Sequence, residues 1–377
     1  MRVSAAFLIV MAASLALAAD GRGQAGTDWP SFRCTPDMAG VAHSALPDKL
    51  ERLWTYEAGS AVTSTAAIVG GRVFVGTDDG EVLCLDLRDG KRQWKFKAGD
   101  TISASPCVVG GVVYVGDKDG IFFALNAANG EKLWQFKTKG EIISSATPAP
   151  GVVLFGSYDN HLYCLDAKTG AKKWAFKADS YVHCSPCVGG KLVSIAGCDG
   201  HVRMIDLDSG KEQAAARTNG NFAACPAYKD GHVFVGDMTG QYFCVRCKDG
   251  EIVWKREDKD GGACFAAAAL AGDSVIFASR GRKVFCLSRK DGKELWSVRT
   301  KGRIDSSPVV AGKTVYVGSA DGNLYGLRLA DGKQVWKFAA GAAISASPAV
   351  SQARLVIGTD DGAVYCLGEK RSSLPKK

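Results

Sequence analysis

Tryptophan recurs along this chain at a spacing that few folds allow. The indoles fall at 54, 94, 134, 174, 254, 296 and 336, in steps of 40, 40, 40, 80, 42 and 40. The step of 80 conceals a degenerate unit in which Ala214 holds the tryptophan slot, and only Trp29 stands outside the series. A fixed period of this size signals one supersecondary unit repeated many times, each unit burying its apolar face against the next.

The unit between Trp134 and Trp174 shows what is being repeated. Val152–Gly156 and His161–Asp166 read as strands, Thr169-Gly170 as a turn, and Lys172–Lys177 as a third strand carrying Trp174. An innermost strand precedes them around Ile142–Ala149. The same slots return in other units. Asp-Gly stands at 79–80, 119–120, 199–200, 321–322 and 361–362, and a second turn recurs at Asp89-Gly90, Asn129-Gly130, Asp249-Gly250, Asp291-Gly292 and Asp331-Gly332. Such dipeptides supply the positive φ that tight hairpins need. They also explain why 45 of 377 residues are glycine and only 11 are proline.

Four short antiparallel strands every ~40 residues define a blade of a β-propeller. Eight inner sets and eight outer strands can be counted. The first outer strand, near Leu53–Tyr56, precedes any inner strand, while the last inner set, Ile344–Leu367, has no outer strand after it. The expected fold is therefore all-β: one eight-bladed propeller of four-stranded antiparallel blades, with the N-terminal strand closing the last blade. The expected organisation is a signal peptide over 1–19, a leader over 20–53, the propeller over 54–368 and a basic tail over 369–377.

Arg2, the apolar stretch from Ala5 to Leu17 and the small residues of Ala16-Leu-Ala18 predict a cleavable export signal. The first cysteine, Cys34, lies too far on for a lipid-modified N-terminus. The expected location is periplasmic or secreted. The net charge of +8 is distributed by the repeat. Lys91, Lys132, Lys172, Lys173, Lys255, Lys293 and Lys333 form a solvated ring at the outer strands, without the one-sided patch that nucleic-acid binding requires.

At this level of detail the residues resemble a known family. His161-Leu-Tyr-Cys-Leu-Asp-Ala-Lys-Thr-Gly-Ala-Lys-Lys-Trp174 is similar to the pyrroloquinoline-quinone-type (PQQ-type) propeller repeat. Gly120-Ile-Phe-Phe-Ala-Leu-Asn-Ala-Ala-Asn-Gly-Glu-Lys-Leu-Trp134 and the run from Gly322 to Trp336 match it as well. Asp28-Trp-Pro-Ser-Phe-Arg33 resembles the leader of exported members related to the outer-membrane assembly factor BamB, with Cys34 where those usually have glycine. The resemblance implies one of two roles: a quinoprotein dehydrogenase holding PQQ and calcium over the central channel, or a cofactor-free interaction scaffold.

The residues themselves offer little chemistry. No two cysteines are adjacent, although the dehydrogenases of this resemblance typically carry such a pair. Nearly every aspartate is in a turn slot, where turn geometry explains it. Asp305 is the exception, expected near a channel mouth, as is His183. His161 and His201 share a slot that reads as solvent-facing. Cys84, Cys164, Cys244, Cys286 and Cys366 each stand ten residues before a tryptophan slot and read as small buried residues. Cys184-Ser-Pro-Cys187 and Cys244-Val-Arg-Cys247 spell CxxC, yet in a strand i and i+3 point to opposite faces. Cys184 and Cys225 occupy similar innermost positions of adjacent blades, with Cys264 near the same slot after a two-residue insertion, so a Cys184–Cys225 disulfide is an open alternative to free thiols. The GxGxxG spelling at Gly21–Gly26 opens no helix and carries no dinucleotide site.

No catalytic, cofactor-binding or metal residues are assigned, and no cofactor is expected. The expected function is that of an exported, non-catalytic, monomeric scaffold for envelope or outer-membrane proteins, without a transmembrane segment or nucleic-acid partner. The alternatives are a PQQ-dependent dehydrogenase and a small-ligand-binding propeller. The cause of the degenerate unit at Ala214 is left open between drift and a covering partner, with its blade expected to be the loosest.

Overall fold

The computed structural model describes residues 27–258 and 262–370; the expected signal peptide, the GxGxxG spelling and the end of the tail lie outside them. Thirty-two strands, β1 (Glu51–Glu57) to β32 (Ala363–Gly368), form eight four-stranded antiparallel sheets among the described residues. No helix among them is long and apolar enough to cross a membrane. Seven sheets use four consecutive strands, and the eighth has the order β1, β32, β31 (Arg354–Gly358), β30 (Ala349–Ser351). The first strand thus closes the last blade, as the count from the sequence requires. Closure replaces the two raw ends of a linear array with one more interior sheet pairing.

The blades repeat down to the register. In the third blade His161–Asp166 pairs with Lys172–Lys177, and Cys164 lies opposite Trp174. The same register holds in the first and fifth blades, where Cys84 faces Trp94 and Cys244 faces Trp254. One extra residue on each outer strand bulges just before the tryptophan slot, as at Gln93 between Arg92 and Trp94. A bulge twists an outer edge away from foreign strands, and the exposed lysines there add charge to the same end. The innermost strands are shorter than the sequence suggests. In the third blade only Thr147–Ala149 is a strand, and Ile142–Ala146 is irregular backbone approaching the axis.

Tryptophan fastens blade to blade at every junction but the one at Ala214. The indole N–H of Trp54 donates to the carbonyl of Leu87 at 2.9 Å, that of Trp174 to Leu207 at 2.9 Å and that of Trp296 to Leu329 at 2.8 Å. Six of the rings, those of Trp54, Trp94, Trp134, Trp174, Trp254 and Trp296, also lie against a turn glycine of the following blade. A Cβ at Gly332 would stand 2.6 Å from the Trp296 ring, and the φ of +72° disfavours any side chain there. The Ala214 strand, Glu212–Arg217, still pairs in the common register. What it lacks is the indole; the backbone of Ala215 closes directly over Gly250 instead. Loss of the ring has not unzipped that blade, because the hydrogen-bond ladder is made by backbone alone.

The leader is built into the disc rather than hanging from it. It crosses the inner edges of the blades, accepting one backbone N–H from nearly every one. Ile68 donates to Trp29, Val108 to Pro30, Val188 to Pro36, Tyr228 to Asp37, Leu270 to Ala39 and Val310 to Gly40, all at 2.7–2.9 Å. In the third blade the equivalent residue is Pro148, which has no N–H to give. The leader turns through residues 31–35 at that point and resumes at the fourth blade. Inner edges that would otherwise be unpaired are thereby satisfied by the leader.

Candidate functional site

The channel along the propeller axis is the place where all eight blades converge. Two rings of side chains line it. The outer ring holds Thr63, Ser103, Ile143, His183, Ala223, Phe265, Asp305 and Ser345. Two residues further along each strand come Thr65, Ser105, Ser145, Ser185, Cys225, Ser307 and Ser347, and Phe32 of the leader also lines the space. The cavity, open to solvent at the mouth, has a volume of about 200 Å³. Both residues expected at a mouth, His183 and Asp305, do line this cavity.

The deeper ring is a circuit of hydrogen bonds. The N–H of Thr65 donates to Ser105 Oγ at 3.0 Å, Ser105 to Ser145 at 2.9 Å, Ser145 to Ser185 at 2.9 Å and Ser185 to Cys225 Sγ at 3.0 Å. It resumes from Ala267 to Ser307 and from Ser307 to Ser347, both at 2.9 Å, and closes from Ser347 to Thr65 Oγ1 at 3.2 Å. Ala267 has no side-chain acceptor, so the circuit is broken once, between Cys225 and Ala267. Sequence reasoning missed this ring, although serine at 105, 145, 185, 307 and 347, each followed by alanine or proline, was a visible signal.

The ring also decides the cysteines. Cys225 is aligned with Ser185, whereas Cys184 is one residue out of that register and faces its own sheet, where the Ala196 N–H donates to its sulfur at 3.2 Å. Neighbouring residues of an extended strand point opposite ways, so the two thiols do not meet. All thirteen cysteines are free, and the disulfide alternative is set aside. Cys264 is not in the ring either; it packs on Gly236, the place taken in other blades by Ile102 on Gly76 or Ile142 on Gly116. The five cysteines opposite tryptophan slots are buried, as expected.

At the mouth, Tyr158 and Tyr181 stack at 4.7 Å between centroids, and the Tyr158 hydroxyl lies 2.6 Å from His183 Nδ1. Burial pushes the His183 pKa below its ordinary value, so the imidazole is neutral at pH 7. Burial pushes the Tyr158 phenol up to about 12, so it keeps its proton and can donate to Nδ1. Across the channel, Asp305 accepts from Arg280 Nε at 2.6 Å and lies 3.3 Å from Arg303 Nε. Arg280 also covers the Phe265 ring at 3.7 Å.

A quinone with calcium would need several carboxylate or amide oxygens converging on one ion. The cavity lining has one carboxylate, Asp305, already held by two guanidiniums, and no asparagine, glutamine or glutamate. These residues do not fit that cofactor. Elsewhere, Asp179, Asp199 and His201 bring ligand atoms within 4.8 Å of one another. Their centre is taken by Arg203, whose guanidinium contacts Asp199 at 2.7 Å, Asp179 at 2.8 Å and Glu212 at 3.1 Å. The shared slot of His161 and His201 is half-buried beside a turn aspartate rather than fully solvent-facing.

Eight closed blades, tryptophan–glycine clasps at six of the eight junctions and an axial channel define the class: a PQQ-type β-propeller. The sequence model of the family described as outer membrane protein assembly factor BamB matches residues 47–174, 140–213, 198–264 and 256–370, and the chain belongs to that family. BamB from Moraxella catarrhalis superposes with a TM-score of 0.73 at 20% identity, covering 86% of this chain and 99% of that one. Quinohemoprotein alcohol dehydrogenase from Comamonas testosteroni superposes with a TM-score of 0.79 at 16% identity, covering 93% and 82%. A computationally designed protein, Ika8, gives 0.75 at 18% identity, covering 88% and 99%. At such identities the likeness is one of fold. No curated protein matches the chain in sequence.

Proposed function

We propose that this protein is an exported, non-catalytic scaffold that binds other proteins of the cell envelope, with a BamB-like part in outer-membrane protein assembly as its most specific form. The observation that carries this reading is the donor set of the channel: hydroxyls, one neutral histidine and one carboxylate neutralised by Arg280 and Arg303. Membership of the BamB family supports the envelope setting, and the export signal read over residues 1–19 supplies the route. The mature chain would begin at Asp20 and act in the periplasm or outside the cell.

The test has two arms. Purified protein is incubated with PQQ and calcium and passed through gel filtration; the expected eluate carries no quinone absorbance, and retained quinone overturns the non-catalytic reading. The tagged protein is then expressed in its own cells and cross-linked. Recovery of outer-membrane barrel proteins or their assembly factors is expected. Recovery no greater than with an unrelated exported propeller overturns the scaffold reading.

A further inference from the structure

Arg33 enters the axis from the leader. Its side chain is fully buried, and its guanidinium packs behind the single break in the hydroxyl ring without lining the channel space itself. Nη2 donates to the carbonyl of Ala268 at 2.8 Å, next to Ala267. The guanidinium also lies within electrostatic reach of Cys225, on the other side of the break. Nε and Nη1 have no partner, and no carboxylate pairs with it among the described residues. Gly40 is shaped around it: a Cβ there would overlap the guanidinium, and its φ is +64°. Burial draws the arginine pKa down to about 9, which leaves the group charged at neutral pH. Burial also raises the neighbouring Cys225 and Cys34 thiols, so neither is an anion there. A buried charge without a counter-charge is costly.

The ring supplies the complementary half. Each hydroxyl of Thr65, Ser105, Ser145, Ser185, Ser307 and Ser347 accepts a backbone N–H from the preceding blade. A hydroxyl has one proton to donate in addition to its acceptor sites, and these six side chains border the cavity. The outer ring gives no competing negative charge, because Asp305 is matched by Arg280 and Arg303. The channel region therefore has an excess of positive charge in surroundings where electrostatic interactions are stronger than in water.

We propose that the floor of the channel binds a small oxyanion, a carboxylate or phosphate-type group, held by the hydroxyl ring beside Arg33. A volume of about 200 Å³ is below the ~300 Å³ at which drug-sized pockets begin. The occupant is thus a molecule of a few heavy atoms, such as inorganic phosphate or a short-chain carboxylate. The inference is independent of the scaffold role and is read on the isolated chain.

The full-length mature protein is titrated calorimetrically with phosphate, sulfate, acetate and succinate in chloride buffer of constant ionic strength. Saturable binding of at least one of them is expected, with a matching rise in melting temperature; which anion saturates distinguishes phosphate-type from carboxylate ligands. The double variant Ser145→Ala/Ser307→Ala should bind roughly tenfold more weakly, since hydrogen bonds to charged groups are the strong ones, and Arg33→Met should weaken binding as well by removing the positive charge behind the ring. If Arg33→Met does not fold, the serine variant decides alone. Absence of saturation by all four anions up to about 10 mM, or affinity in the serine variant within twofold of the parent, overturns the proposal.

Discussion

The circle of repeats is broken twice, in neighbouring sectors, and the two breaks are filled in different ways. At the rim between the fourth and fifth blades, Ala214 replaces the indole, and the backbone of Ala215 settles onto Gly250. On the axis between the fifth and sixth blades, Ala267 interrupts the hydroxyl circuit, and Arg33 of the leader comes in beside it. The rim gap is closed by the strand's own chain, which is what loss of one indole among eight slots looks like in a redundant array. The axial gap is closed by a charged side chain from elsewhere, with a glycine cleared to admit it. Redundancy tolerates loss at the rim; the axis has acquired something at its gap.

The sector containing both breaks is also rich in buried thiols, and it should yield the largest effect. In the unfolded chain these thiols ionise near their ordinary value of 9.0, whereas burial holds Cys244 and Cys247 protonated up to about 12 and raises Cys187 as well. Between pH 9 and 12 the native state therefore binds more protons, and its stability falls as pH rises. Arg33 runs the other way, because its native pKa lies below its unfolded value, but one group is outweighed by several. Alkaline unfolding followed by hydrogen exchange should open the fourth to sixth blades first. Uniform opening of all eight would remove the distinction between this sector and the rest.

The next effect tests the rim. Trp296→Ala should cost about 3–5 kcal/mol, the range for a buried aromatic truncated to alanine, measured by denaturant titration. Ala214→Gly should cost about 1 kcal/mol at most, a backbone term without a lost clasp. Equal losses would show that Ala214 still fastens the blades.

The smallest effect tests the axis. Ser145→Ala removes the acceptor for the Ser105 N–H and leaves a buried donor unpaired, at a cost of about 1–3 kcal/mol. The same measurement on Cys225→Ala should show less, since sulfur is the weaker acceptor for Ser185. A larger loss at Cys225 would mean that its contact with the Arg33 region outweighs its ring bond.

Much of this was readable in advance, and unevenly so. The tryptophan steps gave the blade count and the strand swap, because a period of 40 in the chain is a period of one blade in space. Cys84 and its four equivalents read correctly as buried because one slot has one environment throughout the repeat. Cys184 and Cys225 misled, since a separation of 41 rather than 40 moves a side chain to the other side of its strand. Cys34 shows a further limit. Its φ of +76° explains why glycine is usual at that point of the leader, but the sequence shows only the departure, not the left-handed turn behind it. The bulge before each tryptophan slot left no residue signature, because backbone hydrogen bonding makes it and any exposed side chain can fill it.

The sequence by itself determined the architecture: eight blades, their strands and turns, the closing strand and the clasp at the rim. These depend on contacts that recur at fixed offsets, so each repeat is independent evidence for the same geometry. Only the tertiary structure decided what happens on the axis. There, residues more than two hundred positions apart, Arg33 and Ala268 among them, meet once and without repetition. Closing the circle brings eight inner strands and one leader to a single point, and no periodicity in the chain records which groups remain unpaired when they arrive.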